Sequence, residues 1–163
     1  MVKLILQVNP KAGCEAPVFE KINEIYDKPF MAQLEQLSDF FIVLDFVPEN
    51  VEKLLALEDM EGVLDVDLTP ANIVVSSLEK AAAGEDYFVI FVDTEHGKTV
   101  ETMNTLLACD KFKIRNAGYF CDDRADIVLE VVSSLGANDL NHTIRDIAGV
   151  EDTIIYTLPH KYE

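Results

Sequence analysis

The sequence predicts an α+β fold made of two ferredoxin-like βαββαβ plaits in tandem, and two observations lead to it. First, apolar runs of strand length alternate with helical periodicities in the same order twice: strand, helix, strand, strand, helix, strand. Second, short segments repeat between the halves. Phe41–Val47 (FIVLDFV) matches Asp126–Val132 (DIVLEVV), and Glu61–Val63 matches Ala148–Val150. Each unit of this order closes into a four-stranded antiparallel sheet with both helices on one face.

The first half, residues 1–75, takes its element boundaries from turn residues and capping signals. Its predicted strands are Leu4–Val8, Phe30–Leu37, Phe40–Val47 and Val63–Leu68, with helices between Pro17 and Lys28 and between Pro48 and Gly62. Thr69–Asn72 is expected to break the chain before a short edge strand at Ile73–Val75.

Residues 76–85 form the predicted linker, a short spacer that its alanines favour as helix and that Gly84 ends. The second half, residues 86–163, repeats the order. Its predicted strands are Tyr87–Val92, Phe112–Phe120, Asp126–Val132 and Thr153–Leu158, with helices around Met103 and Ile144.

The strand Tyr87–Val92 contains almost no alternation of polar and apolar residues. An antiparallel sheet with one wet face should alternate, so the face without helices is expected to be covered as well. The most economical cover is the sheet of the other half, packed face to face. The two halves would then form a pseudo-dimer like a dimeric α+β barrel.

Composition excludes several classes of function. The formal net charge is −17, which disfavours direct binding to nucleic-acid phosphates. The three cysteines show no CxxC spacing, so neither a disulfide framework nor a metal site is expected, and a reducing, cytoplasmic location follows. No apolar run reaches the length of a membrane span. No sequence motif for a cofactor or for a catalytic nucleophile is present.

Several short motifs fall at the same places in both halves. They are Gly13 and Gly97 after each first strand, and Gly62-Val63 and Gly149-Val150 after each second helix. In the second half, Asp126 also opens the third strand. A plait with these motifs resembles the effector-binding domain of the Lrp/AsnC regulators, also called the RAM domain and similar to the ACT domain. The resemblance implies an amino-acid-sensing module that pairs sheet to sheet. Without a helix-turn-helix segment before either unit, it implies a free-standing sensor that does not itself bind DNA.

The resemblance also implies ligand-binding residues in the turn after each first strand. In the second half, Asp93 is expected to meet the ammonium group of an amino acid. Gly97 would let the ligand approach the backbone, and the amides at Lys98 and the helix start would favour its carboxylate. His96 lies in the same turn. Asn9 and Gly13 are the first-half equivalents. The alternative is a plain turn that caps a helix.

The hairpin before the third strand supplies further candidates. Asp126 fits the aspartate of the family's Gly-x-x-Asp turn, whereas Asp123 stands near the expected glycine, and Phe41 replaces the aspartate in the first half. Arg124 and Arg115 flank this hairpin. Each is expected either to bind a ligand carboxylate through two hydrogen bonds or to balance the neighbouring aspartates.

Two carboxylates, Asp45 and Glu130, take matching places in the two third strands when FIVLDFV is aligned with DIVLEVV. Alternation along the strand places them on the face away from the helices, at the expected seam between the sheets. There they would hold a basic ligand, a cation or a shared proton, or simply mark the solvated end of the seam.

Three functions follow as hypotheses. The first is a stand-alone protein that senses an amino-acid-type ligand and acts through ligand-dependent protein association, with protein partners or self-association. The second is a monooxygenase-like dimeric α+β barrel enzyme that uses the cavity between its sheets. The third is an assembly module with no ligand.

Overall fold

The computed structural model describes residues 2–26, 30–33, 40–122 and 125–158. The chain forms two compact units, one built mainly from Val2–Pro70 and the other mainly from Ala71 onwards. Each unit carries strands and helices in the predicted order. The predicted α+β class and its tandem ferredoxin-like repeats are therefore confirmed.

The first unit has two helices and a sheet with strand order β2-β3-β1-β4. Its elements are β1 (Val2–Pro10), α1 (Glu15–Ile25), β2 (Phe30–Gln33), β3 (Phe40–Asp45), α2 (Pro48–Glu58) and the first part of β4 (Val63–Ser76). Strand β3 pairs antiparallel with both β1 and β2. The remainder of the predicted strand Phe30–Leu37 lies outside the described residues.

The second unit repeats this arrangement, with strand order β6-β7-β5-β8. Its elements are β5 (Asp86–Thr94), α3 (Thr99–Leu107), β6 (Lys113–Asp122), β7 (Ala125–Ser133), α4 (Ala137–Arg145) and β8 (Val150–Leu158). Strand β5 pairs antiparallel with both β7 and β8. An additional strand segment, residues 71–76 of β4, pairs antiparallel with β6.

Two local predictions were wrong. The expected break at Thr69–Asn72 does not occur, because β4 runs without interruption from Val63 to Ser76. The expected helix in Ser76–Gly84 is absent as well. Ser77 instead donates its amide to the Arg115 carbonyl at 2.7 Å and its hydroxyl to the Ile114 carbonyl at 2.7 Å. These bonds hold the segment against β6 in a non-helical conformation.

Equivalent backbone hydrogen bonds show how the two repeats correspond. Lys11 N donates to Gly62 O at 2.7 Å, and Glu95 N donates to Gly149 O at 2.8 Å. Likewise Cys14 N donates to Lys11 O, as Lys98 N does to Glu95 O. At the ends of the second helices, Asp59 N donates to Leu55 O as Asp146 N donates to His142 O. Lys11 therefore corresponds to Glu95, and Leu55 to His142.

This correspondence corrects the sequence alignment of the third strands. Ile5 and Val89 are equivalent, and they pair with Val43 and Glu130, respectively. The residue in the place of Glu130 is therefore Val43. Asp45 pairs with Lys3, two residues further along the strand. The predicted match between Asp45 and Glu130 was wrong by two residues.

The second unit has a core between its sheet and its helices. Phe88, Ile90 and Val92 of β5 pack there with Met103 and Leu106 of α3, and all five are almost fully buried. The remaining members from β7 and α4 are Ile127, Leu129, Val131, Leu140 and Ile144. The first unit has a comparable core around Leu4, Leu6, Val18, Ile22 and Ile42.

The opposite face of β5 is buried as well. Tyr87, Val89 and Phe91, which alternate with the core residues, are 3%, 0% and 8% exposed. The lack of polar alternation in Tyr87–Val92 had predicted this burial on both faces. No helix within the described residues has the length and apolar character needed to cross a bilayer.

Candidate functional site

The turn after β5 connects the end of that strand to the start of α3. Glu95 N is bonded to Gly149 O, and Lys98 N donates to Glu95 O at 2.9 Å, so both ends of the turn are fixed by backbone hydrogen bonds. Gly97 adopts a φ of +78°, and an added Cβ there would have no atom within 4 Å. This side of the turn is open. The amide of Lys98, predicted to face a ligand, is instead used inside the turn.

Three aspartates from adjacent strands lie beside this turn. Asp93 on β5 pairs directly with Asp152 on β8. On the other side, Val92 pairs with Ile127, which places Asp126 of β7 next to Asp93. Burial raises the pKa of the half-buried Asp93 carboxyl, and the charge of Asp126 and a hydrogen bond with it raise the pKa further. The predicted residues Asp93 and Asp126 therefore do meet.

Asp126 is held in place by Thr94. Its Oδ2 accepts a hydrogen bond from Thr94 N at 2.9 Å and another from Thr94 Oγ1 at 2.7 Å. Thr94 Oγ1 also lies 2.7 Å from Thr99 Oγ1, at the first residue of α3. A short polar chain thus connects Asp126 with the helix N-terminus. At that terminus the amides of the first turn have no acceptor within the helix, as in any α-helix.

Asp152 is balanced by a basic side chain. Arg145 Nη2 donates to Asp152 Oδ1 at 2.6 Å, and the amide of Thr153 donates to the same oxygen at 2.8 Å. Arg145 also donates through Nε to Thr153 Oγ1 at 3.1 Å. In the parts of the chain that the structure describes, no group of three or more His, Cys, Asp or Glu side chains is arranged to hold a metal ion.

The other predicted residues of this turn contribute in different ways. His96 is exposed, and Lys98 Nζ pairs with Glu101 Oε2 at 3.2 Å on the helix surface. Asp123 and Arg124 lie outside the described residues.

The first repeat lacks the acidic centre of this arrangement. Asn9 takes the place of Asp93 and is exposed, while Gly13 has a φ of +83° and open space around it, as Gly97 does. Asp65 takes the place of Asp152 and accepts a hydrogen bond from the Val66 amide at 2.9 Å. Continuing the corrected correspondence along the sequence gives Asp39 as the counterpart of Asp126, but Asp39 lies outside the described residues.

A second polar cluster surrounds Glu130 on the face of β7 that points away from the helices. Glu130 is 3% exposed. Its Oε2 accepts a hydrogen bond from Asn116 Nδ2 at 2.6 Å, and its Oε1 lies 3.3 Å from Arg115 Nε. The Arg115 guanidinium carbon stands 4.8 Å from the centroid of the Tyr87 ring. Burial raises the pKa of the Glu130 carboxyl, and Arg115 and Asn116 offset part of that rise.

A β-bulge brings the two partners of Glu130 together. The register between β6 and β7 shifts between Ile114 and Asn116, so Arg115 and Asn116 both stand opposite Glu130. An extra residue of this kind redirects a side chain, and bulges are common next to functional sites. Asp45, the other predicted seam carboxylate, is exposed and pairs with Lys3 in the first unit. The two carboxylates therefore have different surroundings.

Sequence reasoning missed Thr94, Asn116 and Asp152, and it named Thr99 only for its backbone amide and not for its side chain. A signal for Asp152 was present, because the repeated Gly-Val pair extends to Gly62-Val-Leu-Asp65 and Gly149-Val-Glu-Asp152. The two threonines carry no comparable signal. Asn116 could not be assigned to the cluster without the bulge.

The likeness of this chain to known proteins is one of fold alone. No protein-family model matches the chain, and no curated protein matches it. The resemblance to the Lrp/AsnC effector domain therefore stays a prediction at the level of family.

Several solved structures resemble the chain over almost its whole length. A siroheme decarboxylase in co-complex with an iron-uroporphyrin III analogue has a TM-score of 0.67 at 7% identity, over 99% of this chain and 72% of that one. A candidate monooxygenase from Lactobacillus acidophilus NCFM has a TM-score of 0.55 at 8% identity, over 97% and 92%. A major regulator of staphylococcal pathogenesis has a TM-score of 0.51 at 10% identity, over 96% and 97%. The same fold thus occurs in proteins described as enzymes and in one described as a regulator.

Proposed function

We propose that this chain is a regulatory protein that binds a small amine-bearing metabolite, such as an amino acid, beside the turn after β5, and that it acts through ligand-dependent protein association. The observation that carries the proposal is the convergence of Asp93, Asp126 and Asp152 from three adjacent strands. Neighbouring carboxylates disfavour one another's charged form, and a bound ammonium group relieves this repulsion.

The surroundings of the three aspartates favour a ligand that carries both a positive and a negative group. Asp126 is oriented by two hydrogen bonds from Thr94, so the acidic side is fixed before a ligand arrives. The contact between Thr94 and Thr99 joins it to the N-terminus of α3, where backbone amides and the helix dipole favour a carboxylate. Gly97 leaves the adjacent side of the turn open. An α-amino acid carries both groups, an ammonium for the aspartates and a carboxylate for the helix N-terminus.

Thermal melts of the purified chain against the twenty amino acids test the proposal. Saturation at about one hundred times Kd stabilises a protein by about 2.7 kcal/mol, which raises the Tm of a chain of this size by roughly 5–10 °C. One or a few amino acids should produce such a shift, and their N-acetylated forms should not, because acetylation removes the ammonium charge.

Two variants supply the matched comparison. Asp93→Asn should abolish the ligand-induced shift, whereas Asn9→Ala, at the equivalent position of the first repeat, should preserve it. Sedimentation velocity with and without the ligand should show a change in association state. A shift that survives in Asp93→Asn, or the absence of any shift across the panel, would refute binding at this turn.

A second candidate function is enzymatic and rests on Glu130. Burial raises the pKa of this carboxyl, which favours its protonated form, and the protonated form is the one that can act as a general acid. Arg115 beside it offers a guanidinium for a carboxylate-bearing substrate. A decarboxylase needs a group that binds the carboxylate of its substrate. It also needs a general acid, since a proton must replace the CO2 that leaves.

Iron-uroporphyrin III is a direct probe for this alternative, because the structural relative with the TM-score of 0.67 is described in co-complex with an iron-uroporphyrin III analogue. Binding is followed by the Soret absorbance, and loss of CO2 by the mass of the product. An enzyme should produce both signals, Glu130→Gln should bind without turnover, and Arg115→Ala should bind more weakly. An unchanged Soret band would reject this substrate class.

A further inference from the structure

An apolar stripe lies on the solvent-facing side of α2 in the first repeat. It consists of Val47, Val51 and Leu55, which are 40%, 38% and 65% exposed; we call these three residues the α2 stripe. Val51 and Leu55 are four residues apart and follow one another along one side of α2. Val47 is the N-cap residue, four positions before Val51. Phe46, which is 54% exposed, precedes Val47. The stripe is separate from the core face of α2, where Leu57 is fully buried.

The second repeat provides an internal comparison for this surface. Because Leu55 corresponds to His142, the residues in the places of Val47 and Val51 are Ser134 and Asn138. Ser134, Asn138 and His142 are all exposed, and all three are polar. The fold therefore does not require apolar residues there. Exposed apolar side chains that continue along one surface are typical of protein interaction sites.

The charges around the α2 stripe indicate what kind of partner it fits. Leu55 has Glu52 three residues before it and Glu58 and Asp59 three and four residues after it, so acidic side chains surround its exposed end. The one lysine of α2, Lys53, is paired with Glu49 at 3.0 Å. A second copy of the chain would bring like charges together, and a net charge of −17 adds to that repulsion.

We propose that the α2 stripe is a docking surface for a different protein, one that presents an amphipathic helix with an apolar face bordered by Lys or Arg. The apolar residues of the partner cover Val47, Val51 and Leu55. Its basic border faces Glu52, Glu58 and Asp59. Helices of this kind bind apolar surfaces through residues spaced three or four apart, and complementary charges select the partner and speed association. The α2 stripe lies in the first repeat and the proposed ligand site in the second, so this proposal does not depend on the ligand site.

Two synthetic amphipathic helices of equal length and identical apolar face serve as probes. One carries Lys at every polar position and the other carries Glu. Fluorescence anisotropy should show that the Lys peptide binds at least about tenfold more tightly than the Glu peptide, and that this preference shrinks as salt screens the charges. Equal binding of the two peptides, or no binding of the Lys peptide, would overturn the proposal.

Variants that copy the second repeat locate the binding. The triple variant Val47→Ser, Val51→Asn, Leu55→His should weaken binding of the Lys peptide by about tenfold or more, since buried apolar contacts dominate such interfaces. The single variant Leu55→His should give a smaller loss of binding. Because it changes one exposed residue, it should fold normally and so repeats the test if the triple variant does not fold. Leu78→Ser is the control, because Leu78 is 95% exposed and lies outside the stripe.

Three outcomes would contradict this location. The first is a triple variant that binds as tightly as the wild type while its circular dichroism melt is unchanged. The second is loss of binding in Leu78→Ser. The third is a concentration-dependent dimer of the wild type that the triple variant abolishes, since that result would identify a second copy of the chain as the occupant.

Discussion

Gly149 and Gly97 offer a matched test of how the ligand-site turn is held in place. Both have positive φ, +89° and +78°, so alanine at either position carries the strain of a left-handed residue, about 1–2 kcal/mol. Only Gly149 is also crowded. A Cβ there would overlap Thr102 Oγ1 and stand 3.2 Å from Lys98 Cβ. Thr102 is fully buried on α3, so it has little freedom to move aside.

The expected costs therefore differ. Gly97→Ala should lower stability by about 1–2 kcal/mol and Gly149→Ala by about 2–5 kcal/mol, because overpacking in a filled site adds about 1–3 kcal/mol. For a chain of this size these values correspond to falls in Tm of roughly 2–8 °C and 4–20 °C. Since Gly149 O accepts the bond from Glu95 N, Gly149→Ala should also weaken ligand binding at the turn.

A double-mutant cycle with Thr102→Ala identifies the cause. Thr102→Ala removes the overlapping hydroxyl, so it should recover part of the stability lost in Gly149→Ala, with a coupling of at least about 1 kcal/mol. Thr102→Ala should give no recovery in the Gly97→Ala background. Urea melts at fixed pH measure all six proteins. Equal losses for the two glycine variants, or additive effects with Thr102→Ala, would refute the crowding argument.

Three further predictions follow from the same units. Asp93→Asn should stabilise the protein at pH 7: the pKa of Asp93 is raised on folding above its usual 3.8, so its ionisation costs stability as pH rises. That gain should shrink as the pH falls through 3.8 and vanish well below it, where the carboxyl is protonated in both states, and a loss of stability at pH 7 would contradict the sign. Gly118→Ala should cost about 1–3 kcal/mol and expose residues 71–76 to hydrogen exchange, because its Cβ would lie 2.9 Å from Asn72 O and 2.8 Å from Ile73 Cδ1; unchanged exchange would argue against the β4–β6 contact. Arg145→Ala should lower stability by at most about 1 kcal/mol, since Arg145 and Asp152 are largely solvated, and urea melts showing a larger loss would mean that Arg145 has another role.

The sequence predicted the repeat and most of the elements because their signals are local. Apolar periodicity, proline at helix starts and glycine at helix ends each depend on a few neighbouring residues. Burial of both faces of β5 was predictable because Tyr87–Val92 offers no polar residue to a wet face. Asp93 and Asp126 were each predicted as ligand-binding residues from the resemblance, whereas their position next to one another comes from the pairing of β5 with β7.

The errors arose where contacts distant in sequence decide the structure. The match of FIVLDFV to DIVLEVV was two residues out, because a shift of two keeps every side chain on its original face and leaves the apolar pattern equally good. Only the pairings of Ile5 with Val43 and of Val89 with Glu130 fix the register. In the linker, helix propensity was overridden by the bonds from Ser77 to β6 and from the Ala81 amide to the Tyr87 hydroxyl at 2.9 Å.

Asn9 and Asp93 take the same place in the two turns, and this difference affects how ligand binding depends on ligand concentration. Two identical sites in a symmetric assembly can be occupied in sequence, and coupling between them sharpens or flattens the binding curve. A chain in which one turn is neutral and the other acidic has unequal halves, so we expect calorimetric titration to saturate at a single equivalent with a hyperbolic isotherm. Steepness in the response would then have to come from association between chains.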